Sequence, residues 1–182
     1  MMSVVYIFWM YVLLFAVIGA IRGWAKELLV AFSVVTALAV NLLLERYVPL
    51  VKDLANPAAP NIDIARSLFW IRVIVVIALV YFGYQTVALP RLASKAARER
   101  LQDALFGAVL GGVNGYLIAG TVLYYNHVAG YPFPNIISPA TDIAIIETIN
   151  RMMTYMPPRF LGEPGIYFAV ILILIFIIVV YI

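Results

Sequence analysis

Five long apolar runs, separated by short polar links and two proline-rich segments, set the rhythm of the chain. They extend from Val4 to Ala20, Leu28 to about Leu44, Ile64 to Leu89, Leu105 to about Tyr125 and Ile166 to Ile182. Each is long enough to cross a hydrocarbon core as a helix, which takes roughly 17 to 25 residues. None shows the two-residue alternation of an outer-membrane barrel strand. Because backbone polar groups in lipid must be satisfied within the protein, uniformly apolar runs of this length predict helices.

Two further stretches carry a helical apolar stripe. Leu89, Leu92, Ala93, Ala96, Ala97, Leu101, Ala104 and Leu105 recur at steps of three and four, with Arg91, Lys95, Arg98, Glu99 and Gln102 between them. That pattern predicts an amphipathic helix over about 90–103, lying flat on the bilayer or docked on the first two spans. On the other side of the membrane, Ile143, Ile146, Ile149 and Met153, with Ile145 and Met152 beside them, predict a second one. Ser138-Pro139 reads as its N-cap with proline at the first helical position. The segments 49–63 and 126–138 read as surface loops, and Asn61 or Asp63 as the cap of the third span.

The fourth run places Gly107, Gly111 and Gly115 at strict steps of four, which lets membrane helices approach closely. The link between the first two runs, Gly19-Ala-Ile-Arg22-Gly23-Trp24-Ala-Lys26-Glu27, is so short that they should form an antiparallel hairpin. There Gly23 can take positive φ, Arg22 and Lys26 can reach headgroups, and Trp24 suits the interface. Glu27 stands out, as a carboxylate at the mouth of an oily helix. It is expected either to be solvated in the first turn or to pair with Arg22 or a cation of 91–100.

Composition agrees with the pattern: 65% of the 182 residues are hydrophobic, 12% are charged, and the mean hydropathy is +1.04. Soluble chains hold about 25% charged residues. The reading is therefore an all-α, polytopic helical membrane protein with a four-helix core, an extra C-terminal transmembrane helix and two interfacial amphipathic helices. Residues 1–125 would form the core, including the basic helix, and 126–182 the outer loop, outer helix and fifth span. Four Lys/Arg against one Glu in residues 91–100 favour an inner face for that link, so the N-terminus is expected outside and the C-terminus inside. No basic residue precedes the first run, which therefore reads as an uncleaved span. Arg72, beside Trp70, reads as an arginine snorkelling at the membrane edge. The net charge of +3 is modest and localised, consistent with topology and headgroup contact and not with nucleic-acid binding.

Two motifs together resemble the colicin V production (CvpA) family of bacterial inner-membrane proteins. They are Gly19-x-x-Arg22-Gly23-x-x-Lys26-Glu27 after a first span, and Asp103-x-x-Phe106-Gly107-x-x-x-Gly111-x-x-x-Gly115 opening a fourth. The resemblance covers roughly residues 1 to 125 and implies a four-helix membrane core linked by name to toxin production or export. Where the family pattern has Arg-Gly at the last step of the ladder, this chain has Asn114-Gly115, so any role of that cation does not carry over. The outer helix and fifth span, from about Ser138 onward, fall outside the common core.

Candidate chemistry is sparse. There is no cysteine, His127 is the single histidine, and the ladder glycines lack the lysine-serine tail of a phosphate loop. No catalytic or metal site and no cofactor is expected. The leading expectation is a non-catalytic scaffold or accessory subunit, with Gly107, Gly111 and Gly115 packing helices and Arg22, Gly23, Lys26 and Glu27 forming the hairpin site. Arg91, Lys95, Arg98, Arg100 and Asp103 would meet headgroups or a partner, with Glu27 and Asp103 close to Arg22, Lys26 and Arg100. Expected partners are the bilayer and other membrane subunits or further copies. The alternative is a small oligomeric channel or transporter, with Ser33, Thr36, Asn41, Gln85 and Asn114 along a polar path.

Overall fold

The computed structural model describes residues 4–56, 61–85 and 97–181. They form eight helices, and no strand occurs among the described residues: α1 (Val4–Arg22), α2 (Trp24–Tyr47), α3 (Pro49–Ala55), α4 (Ile62–Tyr84), α5 (Ala97–Val128), α6 (Ile143–Met153), α7 (Pro157–Phe160) and α8 (Gly165–Tyr181). By length and composition α1, α2, α4 and α5 can each cross a membrane. The 17 residues of α8 amount to about 26 Å, at the short end of what can span.

The organising element is α5. Its 32 residues run about 48 Å, longer than the hydrocarbon core is thick. One side takes α1 along its length, another takes α2, and α4 lies chiefly on α2. Although α1 and α2 are joined by one residue, they touch little beyond that link. The expected hairpin is therefore splayed, each arm using α5 as its main support. Between α2, α4 and α5 sits a β-branched core of Val30, Val34, Val73 and Val76 with Ala37, Leu117 and the buried start of α8 at Ile166. A second cluster joins Phe8 and Leu123 to Ile149, Met153 and Met156 beneath α6. Beyond Ile166, α8 leaves Phe168, Leu172, Ile175 and Val179 exposed, as befits a lipid-facing helix.

Several boundaries differ from those the pattern predicts. The expected loop at 49–63 contains α3, because Pro49 occupies a first-turn position where its missing N–H costs nothing. Asn61 caps α4, accepting from the Asp63 N–H at 2.8 Å. Ser138-Pro139 does not start α6; the Asp142 carboxylate does, accepting from the N–H groups of Ala144 and Ile145. Of the expected apolar face of α6, Ile149 and Met153 are buried while Ile143 is exposed. The basic stripe is not a separate flat helix over its described part. Residues 97–103 continue straight into the fourth span, since nothing from Ala97 to Val128 breaks helical hydrogen bonding. Its remainder, including Arg91 and Lys95, lies outside the described residues.

Candidate functional site

The glycine ladder meets the backbone of α1. Gly107 and Gly111 pack on Gly19, and Gly115 packs on Val12 and Phe15. A methyl group on Gly19 would come within 2.7 Å of the Gly111 Cα, and one on Gly111 within 2.8 Å of the Gly19 Cα. Neither backbone can yield to such a contact. By contrast, a methyl group on Gly112, one residue off the ladder, meets nothing closer than 3.6 Å. The seam therefore closes within one chain.

At the end of this seam lies the α1–α2 link. Gly23 has φ 84°, and a Cβ there would also strike the Asp103 carboxylate, so the position is closed to side chains on two counts. Asp103 in turn accepts from the Trp24 N–H at 3.3 Å, tying the start of α2 to α5.

Just inside this link Glu27 is completely buried, and not solvated. Arg22 donates from Nε to Glu27 Oε1 at 2.8 Å. Asn114, also fully buried, donates from Nδ2 to Glu27 Oε2 at 2.7 Å and to the Glu27 carbonyl at 2.8 Å. The Arg22 guanidinium lies 4.5 Å from the centre of the Tyr84 ring and donates to the Tyr84 carbonyl from both terminal nitrogens at 3.4 Å. One carboxylate thus gathers α1, α2, α4 and α5. Burial of a charge is tolerable only with this degree of pairing.

Of the other residues expected here, Lys26 and Arg100 are exposed at the same end of the molecule. Ser33 and Thr36 each donate to a carbonyl of their own helix, and Gln85 ends α4. Only Asn41 and Asn114 of the proposed polar path reach across helices.

A second polar cluster closes the opposite end of the bundle, and sequence reasoning missed it. Arg72 does not snorkel: its side chain is 12% exposed, and it donates to Glu45 Oε1 at 2.7 Å beneath the Tyr125 ring. Asn41 donates to the Arg72 carbonyl at 3.1 Å and to the Tyr125 hydroxyl at 3.3 Å. The available signal was spacing. Glu45 follows Glu27 by 18 residues, five helical turns, so both carboxylates fall on one face of α2. At the surface beyond, Arg46 and the Tyr167 hydroxyl both donate to Glu163, whose carboxyl they hold below its usual range, Tyr167 most strongly.

Buried polar atoms with no hydrogen-bond partner among the described residues are Asn114 Oδ1 and Tyr84 Oη at the Glu27 end, Asn41 Oδ1 at the Arg72 end, and Thr121 Oγ1 and Asn126 Nδ2 on α5. No group of three or more His, Asp or Glu placed to hold a metal occurs among the described residues.

Four long apolar helices and a buried, internally neutralised ion pair define a polytopic all-α membrane protein. Its sequence matches the profile of the family described as colicin V production protein over residues 5–153, and the chain belongs to that family. The match runs through α6, so the outer helix, expected to fall outside the common core, lies within the stretch the family shares. No curated protein and no solved structure matches the chain.

Proposed function

We propose that the protein is a non-catalytic scaffold or accessory subunit of a bacterial inner-membrane assembly that serves toxin production or export; its membership of a family described by colicin V production supports the link to a toxin. The observation that carries this reading is the position of Glu27. The carboxylate is sealed between Arg22 and Asn114 and lines neither the groove between α1 and α4 nor the pocket beside Arg72. A catalytic acid or base needs reach to a substrate; this one fastens four helices. The Lys/Arg-rich stretch 91–100 supports an inward face for the α1–α2 link, with the N-terminus outside, the C-terminus inside and the basic residues meeting headgroups or a cytoplasmic partner. Extraction from the native membrane in mild detergent, followed by identification of co-purifying proteins, tests the reading. A stoichiometric membrane partner is expected; a chain that stays alone at all detergent strengths overturns it.

A second reading, a small channel or transporter, is favoured by one observation. Asn114 Oδ1, Tyr84 Oη and Thr121 Oγ1 are buried acceptors without partners, the kind of site that water or an ion occupies. Ion or solute flux in liposomes containing only this protein decides between the two, and robust flux would reverse their order.

A further inference from the structure

α1 and α4 approach each other at Phe15 and Tyr84, whose ring centroids are 6.3 Å apart, and open a groove over α5 toward the other end of the bundle. Its volume is about 510 Å³. Ile118 and Val122 form part of the floor, Tyr11 and Trp70 part of the walls, and Phe133 covers the end where α5 finishes. Apart from Tyr11 and Trp70, the polar side chain in the lining is Asn126. Asn126 is 3% exposed, and its Nδ2 has no hydrogen-bond partner among the described residues, although its backbone carbonyl accepts from the Tyr131 N–H. An amide donor sealed in apolar surroundings without an acceptor is costly, so the groove is incomplete as it stands.

We infer that this groove holds one acyl chain of a membrane glycerophospholipid, with the ester carbonyl accepting from Asn126 Nδ2. Dimensions support that occupant. Ile118 to Asn126 spans about 12 Å along α5, and Val4 to Phe15 about 16 Å along α1, close to one leaflet of a hydrocarbon core about 30 Å thick. The donor sits at the end where interfacial Trp70 lies and where ester groups are found; the remainder is hydrocarbon in character. The aromatic walls deny the close backbone approach that membrane helices use, which argues against a helix from a second copy.

The test is photo-crosslinking of the full chain in phosphatidylcholine nanodiscs containing a little phospholipid with a diazirine in its acyl chain. Adducts should concentrate on Ile118 and Val122 relative to lipid-facing Leu172. Val122→Trp, which fills the groove, should cut the Ile118 adduct at least tenfold while leaving that on Leu172. Asn126→Leu should lower it roughly fivefold, the effect of one neutral hydrogen bond. Should Val122→Trp fail to assemble, Asn126→Leu, which keeps the branched heavy-atom shape of the side chain, carries the test. Even labelling of Ile118 and Leu172, no response to Asn126→Leu, or equal labelling by an ether-linked diazirine phospholipid, which lacks the ester carbonyl, would overturn the assignment.

Discussion

Two polar side chains, Arg22 and Asn114, satisfy Glu27, and the cost of losing each contact differs. Glu27→Ala leaves Arg22, itself only 22% exposed, without its anion and Asn114 without its acceptor. Breaking one partner of a buried pair costs about 3 kcal/mol. Asn114→Leu removes only interhelical hydrogen bonds, each worth about 0.6 kcal/mol on average in a membrane bundle. Unfolding titrations in mixed micelles should therefore rank Glu27→Ala well below Asn114→Leu, and equal losses would mean that the ion pair contributes little. At this scale the sequence was half legible. Glu27 was conspicuous because it interrupts an apolar run, and its cation stands five residues away. Arg72 was misread because an arginine near a span end has a ready exit to water. Its partner Glu45 lies 27 residues earlier, and only the packing of α2 on α4 brings the two together.

Helices in this protein are joined by backbone contact as much as by side chains. The seam of Gly19 against Gly107 and Gly111 makes the response to added methyl groups sharply position-dependent. Gly111→Ala should destabilise the fold by about 1 to 3 kcal/mol, as overpacking does. Gly112→Ala, with room for its Cβ, should stay within about 0.5 kcal/mol of the parent. Thermal unfolding in detergent checks both, and equal midpoints would show that α1 does not lie on the ladder. Because the seam is intramolecular, Gly111→Ala should shift the unfolding midpoint and leave any oligomer size unchanged. The four-residue glycine spacing announced a close contact. It did not announce the partner, since a lone Gly19 near the end of a run has many explanations. The helix α3 was hidden for another reason: Pro49 signals both a loop and a helix start, and no apolar period of sufficient length follows to decide between them.

Across the whole molecule the two polar clusters sit at opposite ends of a valine-rich core. On α2, Glu27 and Asn41 are 14 residues apart, about 21 Å. Groups so distant normally act independently, their effects adding within about 0.5 kcal/mol. A double-mutant cycle between Glu27→Ala and Arg72→Met is therefore expected to close within that margin. Glu27→Ala and Asn114→Leu, which share a hydrogen bond, should couple by more. Strong coupling across the bundle would instead point to a connected polar chain through Thr121, and would favour the transport reading. The four-helix character was legible from hydropathy alone. The glycine ladder also marked α5 as the span on which others pack; which faces of α2 and α4 meet was not legible, because nearly every face here is apolar.

The seam also sets a timetable for synthesis. Gly19 and Gly107 are 88 residues apart in the chain, so at roughly 5 to 20 residues per second the ribosome needs about 4 to 18 s to supply the second surface after the first. During that interval α1 must wait in the bilayer with its glycine face against lipid, while Arg22 and Glu27, only five residues apart, can already meet. The ion pair is thus available as the early clasp and the glycine contact as the late one.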